Sequence, residues 1–367
     1  MARVRAVTVF VSPREWSSES ISSYVENAAV KANEIADAIR ERIEVWSVRV
    51  ALPPLPEGVD PVRVAEAAMK AAEANGVKYI AAVHLNVGSI DDVKRFVDAI
   101  EVGVYGSVLL PRVEYAGRAA ELIMEASKRD IMAPTRLAIV FGASWPLTPY
   151  FPIAVQTRSG MGFAVAALYV DDVLASLGEE PSIEMIRYIS TRVFSVIEEV
   201  SREASERLGI EYYGLDASLS PWMDESVARL IERLMDERKL GSPGTLTVIR
   251  ELNRVIRGIA SSFDAVGFNE VMLPVAEDNV LKERVGEGLV RVRDLLLYST
   301  VCVAGVDMVV VGDNMTKEGL VGLVRDMHSV YKLKGLSIGL RLIMIEGAQP
   351  GDWISLGEFG KVPVAWW

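Results

Sequence analysis

The stretch STVCVAGVDMVVVGDN, residues 299–314, holds the chain's single cysteine, Cys302, five positions before Asp307, and closes on Gly312-Asp313-Asn314. A thiol becomes a nucleophile when a cation or a helix N-terminus lowers its pKa. Without such a neighbour a free cysteine is a small buried hydrophobe. No histidine or lysine stands beside Cys302 in sequence, which favours the buried hydrophobe, while Asp307 nearby keeps a nucleophile or pocket wall open.

The other candidates are charged residues set in apolar surroundings. Arg341 interrupts LSIGLRLIMIEG (336–347). A guanidinium in a buried strand needs a carboxylate partner or a ligand's carboxylate or phosphate, which its planar fork matches. Glu277 and Asp278 follow Pro274 in LPVAEDNV. There they serve either a helix dipole or a site at a strand's C-terminal end. Asp216 and Ser218 sit in YYGLDASLSP, where an acid and a hydroxyl at a strand end can line a pocket. Gly244-Thr245 opens a helix, an end that can hold an anion or simply start the helix. Together these residues describe acid–base work by Asp307, Glu277 or Asp216 on a small anionic molecule clamped by Arg341.

Several chemistries lack their residues. With only His84 and His328, no HExxH or paired CxxC exists, so a zinc site is not expected; an oxygen-ligated Mg2+ or Mn2+ stays open. SGMGFAVA (159–166) precedes a strand-like run and lacks the third glycine of a dinucleotide fingerprint. The Gly-Lys-Ser/Thr phosphate loop is absent. No cofactor is implied. A net charge of −11 without a basic stripe argues against nucleic acid and against anionic membrane. No apolar run approaches the roughly 20 residues of a membrane helix. One cysteine fits a reducing, cytoplasmic interior. Scarce glutamine beside abundant Arg, Glu, Val and Ile leans toward a heat-adapted source. A homodimer is the base-rate expectation.

Positioning these residues takes many elements. Strand patterns at 4–12, 44–52, 77–85, 105–111 and 135–143 alternate with amphipathic segments, which argues for parallel strands covered by helices. Residues 144–163, rich in proline and glycine, read as a functional loop or pocket wall. The longest helix is expected over 181–209. Strands are expected at 212–220 and around 270–274, a helix over 224–240, and a hairpin over 351–367. With no clear linker, residues 1–367 are expected to form a single α/β domain.

Spaced blocks after about residue 210 resemble one family. They are Asp216-x-Ser218-Leu219-x-Pro221, Ser226-Val227-Ala228, Gly244-Thr245, Pro274-Val275-x-Glu277-Asp278, Val301-Cys302-x-x-Gly305-x-Asp307-Met308, Gly312-Asp313, Arg341-Leu342-Ile343, Gly351-Asp352 and Val362-Pro363-Val364. In this order they are similar to domain of unknown function 711, also called uncharacterised protein family 0210, nearly end to end. The resemblance implies a closed α/β barrel of about ten strands surrounded by helices, like the pyruvate formate-lyase barrel of glycyl radical enzymes. A hairpin threads that barrel, and the resemblance places Cys302 on it. It adds Asp313 to the ligand-binding candidates. The radical loop Arg-Val-x-Gly-aromatic is not found in the closing GEFGKVPVAWW, so a radical-free relative is expected. The expectation is an enzyme acting on a small anion inside the barrel, or a metabolite-binding protein that keeps the barrel without the chemistry.

Overall fold

A computed structural model describes residues 3–90, 92–178, 181–301 and 304–367. The five strand patterns form β1 (Arg3–Val11), β2 (Val45–Ala51), β3 (Tyr79–Asn86), β4 (Tyr105–Leu110) and β5 (Leu137–Phe141), each parallel to the next. Beyond β1 lies the antiparallel β6 (Met161–Leu168), which pairs in parallel with β7 (Glu211–Asp216). At the other edge β8 (Gly305–Val311) and β9 (Ile338–Met344) are parallel to each other, and β9 is antiparallel to β5. The order is β7-β6-β1-β2-β3-β4-β5-β9-β8, one mostly parallel sheet.

The helices are α1 (Ser18–Arg40), α2 (Pro61–Ala74), α3 (Val93–Glu101), α4 (Ala116–Arg129), α5 (Val170–Ser176), α6 (Ile183–Leu208), α7 (Val227–Arg233), α8 (Thr245–Ala260), α9 (Asn279–Gly286), α10 (Val292–Tyr298) and α11 (Lys317–Lys334). Their starts follow local chemistry. Ser17 caps α1 by accepting from the Ser20 N–H, and Asp60 caps α2 with Pro61 in its first turn. In α1 the buried residues Ile21, Val25, Ala28, Ala32, Ile35 and Ile39 recur every three or four positions, the stripe that must face the sheet.

Alternation sorts the sheet's two faces. Val7 and Val9, Val50, Ile80, Val108, Ile139, Val165 and Leu340 join the large core under the helices. The other face carries Ala6, Ala51, Ala81, Ala138, Ala164 and Ala166, with Gly339 on β9. Such short side chains leave room above the strands. Of residues 144–163, expected as a functional loop or pocket wall, the last three begin β6, and Trp145, Leu147, Tyr150, Phe151 and Ile153 fill part of that room.

Two expectations change. The ladder does not close into a barrel among the described residues: β7 and β8 are its edges. Isolated bridges Leu215–Ala265, Leu219–Val271 and Pro274–Asp307 link residues 265–274 to β7 and the residues just after it on one side and to β8 on the other. Gly267 (φ 82) and Asn269 (φ 51) turn this segment out of strand geometry, and Pro274 has no N–H to give a ladder. No hairpin of described residues surrounds position 302 either. The helix α10 precedes it and the strand β8 follows, while Cys302 itself lies outside the described residues. The hairpin that does form is C-terminal, β10 (Trp353–Ser355) against β11 (Lys361–Pro363).

Candidate functional site

The alanine-lined face of the sheet holds a cavity of about 100 Å3. Its walls are strand residues Arg5, Trp46, Arg49, Tyr79, Tyr105 and Arg341. Tyr150 and Phe151 from the covering loop, Trp222 beyond β7, and Glu358 and Phe359 at the hairpin tip complete it. Two β-bulges aim charged residues into it. Val4 and Ala6 pair with the adjacent Ala167 and Ala166, which leaves Arg5 as the extra residue of β1. Val306 pairs with Leu340 and Val309 with Leu342, so Asp307 and Met308 stand opposite Arg341 alone, with Met308 at φ 53. Bulges re-aim side chains in this way. Beside them β8 and β9 come very close: a Cβ added at Gly305 (φ 140) would lie 1.8 Å from the Gly339 carbonyl oxygen.

The three arginines differ in their partners. Arg341 donates from Nε and Nη2 to both oxygens of Asp307, the latter at 2.7 Å, and from Nη2 to Glu277 Oε1 at 3.1 Å. Burial opposes its charge, but these two carboxylates outweigh burial and raise its pKa. Arg5 donates to Glu277 Oε2 at 2.7 Å and to the Pro221 carbonyl at 2.6 Å. Glu277 therefore bridges two guanidinium groups. Arg49 has no carboxylate partner among the described residues. Its Nε donates to Ser47 Oγ at 3.0 Å, and Ser47 donates to the Arg5 carbonyl at 2.7 Å. Its guanidinium lies over the rings of Tyr79 at 5.7 Å and Phe151 at 5.1 Å. Burial first, and then the charge of Arg5, push its pKa down to about 10. It is 9% exposed and lines the cavity. Burial also raises Tyr105 to about 12 and lifts Tyr150 further, so both phenols stay neutral hydrogen-bonding groups.

Of the residues singled out from the sequence, the cavity brings together Asp307, Glu277 and Arg341. Asp216 does not line it. It accepts from Ser218 N and Oγ, from the Asn269 and Phe268 N–H groups and from Thr148 Oγ1, at 2.6–3.2 Å. Burial raises its pKa and these donors oppose the rise. Gly267 is required here, because a Cβ would fall 1.9 Å from Asp216 Oδ2. Asp216 and Ser218 thus hold the turn that carries Phe268 to the cavity. Asp278 caps α9 through the Leu281 N–H and accepts from Ser226 Oγ and the Ala228 N–H, tying two helix starts together. Thr245 spends its hydroxyl on the Ser242 carbonyl and the Gly241 N–H, in the turn that Gly244 completes, and neither Gly244 nor Thr245 lines the cavity. Asp313 accepts from the Gly347 N–H and from Gln349 and lines a separate hollow with Lys128 and Glu346. Among the described residues no group of three or more His, Cys, Asp or Glu is arranged to hold a metal ion, and no helix is long and apolar enough to cross a membrane.

Arg5 and Arg49 escaped sequence reasoning. The signal was present: each interrupts an apolar strand, as Arg341 does.

The model of a family described as Uncharacterised ACR (DUF711) matches residues 1–357. A UPF0210 protein of Sulfurisphaera tokodaii is 26% identical over 94% of this chain and 83% of its own length. One of Pyrobaculum islandicum is 26% identical over 89% of this chain and 80% of its own. A third, of Methanopyrus kandleri, is 31% identical over 49% of this chain and 40% of its own, so that match leaves more than half of the relative unaligned.

Proposed function

The chain belongs to the DUF711 family, whose name states no reaction, and from its own geometry we propose that the cavity binds a small anion with Arg49 as the receptor cation. The observation that carries this is Arg49: a guanidinium 9% exposed, without a carboxylate partner among the described residues, oriented by Ser47 and facing a cavity. A buried charge left unpaired is expensive, and a bound carboxylate or phosphate relieves the expense. The cavity's modest volume favours a molecule of few atoms. Arg341, expected as the clamp, is already neutralised by Asp307 and Glu277 and acts instead as a brace between them.

A catalytic reading rests on Asp307. Its side chain keeps 23% exposure at the cavity while bound to Arg341, so it can take a proton from a bound molecule. We also read the fold as a barrel open at one seam, with residues 265–274 as the irregular tenth stave. The bridges to both edge strands support that reading.

Titration with acetate, propionate and phosphate, followed by the fluorescence of Trp46 and Trp222, tests the site. Saturable binding that Arg49→Met removes supports it; an identical response in that variant sinks it. A metabolite panel followed by NMR tests catalysis, with turnover expected in the wild type and lost in Asp307→Asn while binding stays.

A further inference from the structure

Charge around the cavity narrows what it accepts. The ionised groups of its inner wall are three arginines, Arg5, Arg49 and Arg341, and two carboxylates, Glu277 and Asp307. Glu277 answers Arg5 at 2.7 Å, and Asp307 answers Arg341 through both oxygens. Three positive charges less two negative ones leave one, on Arg49. The remaining acid of the lining, Glu358, sits exposed at the hairpin tip, where water screens it.

The shape of Arg49 adds a geometric demand. Tyr79 and Phe151 fix its plane, and Ser47 takes its Nε. Nη1 and Nη2 are left, a pair of donors that fits the two oxygens of one carboxylate. Beyond them the walls are rings: Trp46, Tyr105, Tyr150, Trp222 and Phe268. Their faces accept a flat apolar body and offer a second anionic group no cation. Arg5 is already committed: Glu277 answers its charge at 2.7 Å, the Pro221 carbonyl takes Nη1, and its side chain is nearly buried.

We infer that the cavity selects singly charged carboxylates carrying a small flat or apolar body, and discriminates against dicarboxylates and phosphate. The inference rests on the reading of Arg49 as anion receptor. The class of ligand is therefore a monocarboxylic acid in its ionised form, held by a bidentate pair of hydrogen bonds.

Calorimetric titration at pH 8 with propionate and benzoate against succinate and inorganic phosphate decides it. At least tenfold tighter binding of a monocarboxylate is expected. Arg49→Met should lose that binding, and Arg49→Lys, which keeps the charge without the fork, should retain a weakened part of it. Glu277→Gln raises the spare charge from one to two and should shift preference toward succinate; if that variant does not fold, the wild-type panel is sufficient. Succinate or phosphate binding as tightly as the monocarboxylates, and depending on Arg49, would overturn the selectivity and leave the anion site standing. No Arg49-dependent binding of any of the four would overturn both.

Discussion

Arg49 and Arg341 look alike in sequence, each a lone cation in an apolar strand, yet their removal should have opposite consequences. Arg341→Met strips the partner from Asp307 and from one oxygen of Glu277. Breaking a buried pair in this way costs about 3–5 kcal/mol, which urea unfolding would reveal. Arg49→Met removes a charge that already sits badly, so stability should hold or rise in the same measurement. What the sequence made legible at this scale was the rule that a buried arginine needs an anion. Which arginine lacks one depends on contacts between β1, residue 277 and β9, far apart in the chain. His84 gives a pH prediction. It is fully buried, with Nδ1 on Ser107 Oγ at 2.8 Å, and burial drops its pKa to about 3. The unfolded chain binds that proton near pH 6.5, so between the two values it holds more protons than the folded one, and stability is lost as pH falls. From pH 7 to pH 4 this amounts to on the order of 3 kcal/mol. Asp216 and Asp278, raised by burial, act with the opposite sign, so the quantity to read is the flatter pH dependence of His84→Gln relative to wild type.

Among the elements, the long periodic ones were legible and the short ones were not. α1 and α6 announce themselves through an apolar stripe over several turns, and β1 to β5 through short β-branched runs mostly buried on both faces. The helix expected over 224–240 stops at Arg233, since Asp236 and Glu237 take the left-handed conformation at φ 54 and 62 and turn the chain. The strand expected around 270–274 survives only as bridges, for the reasons its glycine and proline supply. The closing hairpin was legible, but its place was not. Its tip reaches the cavity through Phe359, whose carbonyl accepts from Lys282 Nζ at 2.7 Å and whose ring meets Trp222 edge-on at 6.1 Å. Lys282→Met should release that tip. Hydrogen exchange at residues 356–360 is expected to quicken about tenfold or more while exchange in β1 to β5 is unchanged. Equal protection in both proteins would show that the lysine does not hold it.

At the scale of the whole molecule, a net charge of −11 surrounds a site read as a receptor for anions. Long-range repulsion then slows the encounter, and salt relieves it. The association rate of benzoate should rise as ionic strength goes from about 0.01 M to about 0.3 M, the reverse of a steered ligand, in stopped-flow fluorescence. The strand order was beyond sequence reading for a related reason of scale. The pairing of β1 with β6 and of β5 with β9 joins residues more than a hundred positions apart, and period alone carries no address. The faces of that sheet nevertheless have a consequence for how such a protein can change. The branched side chains under the helices build the large core, and on the opposite face Ala138 lines the cavity. Ala138→Val should shrink the cavity and exclude benzoate before propionate, with little change in the unfolding midpoint. The sheet is a partition: a change on the helix-covered side bears on folding, and a change at Ala138 on the other side bears on what the cavity can hold.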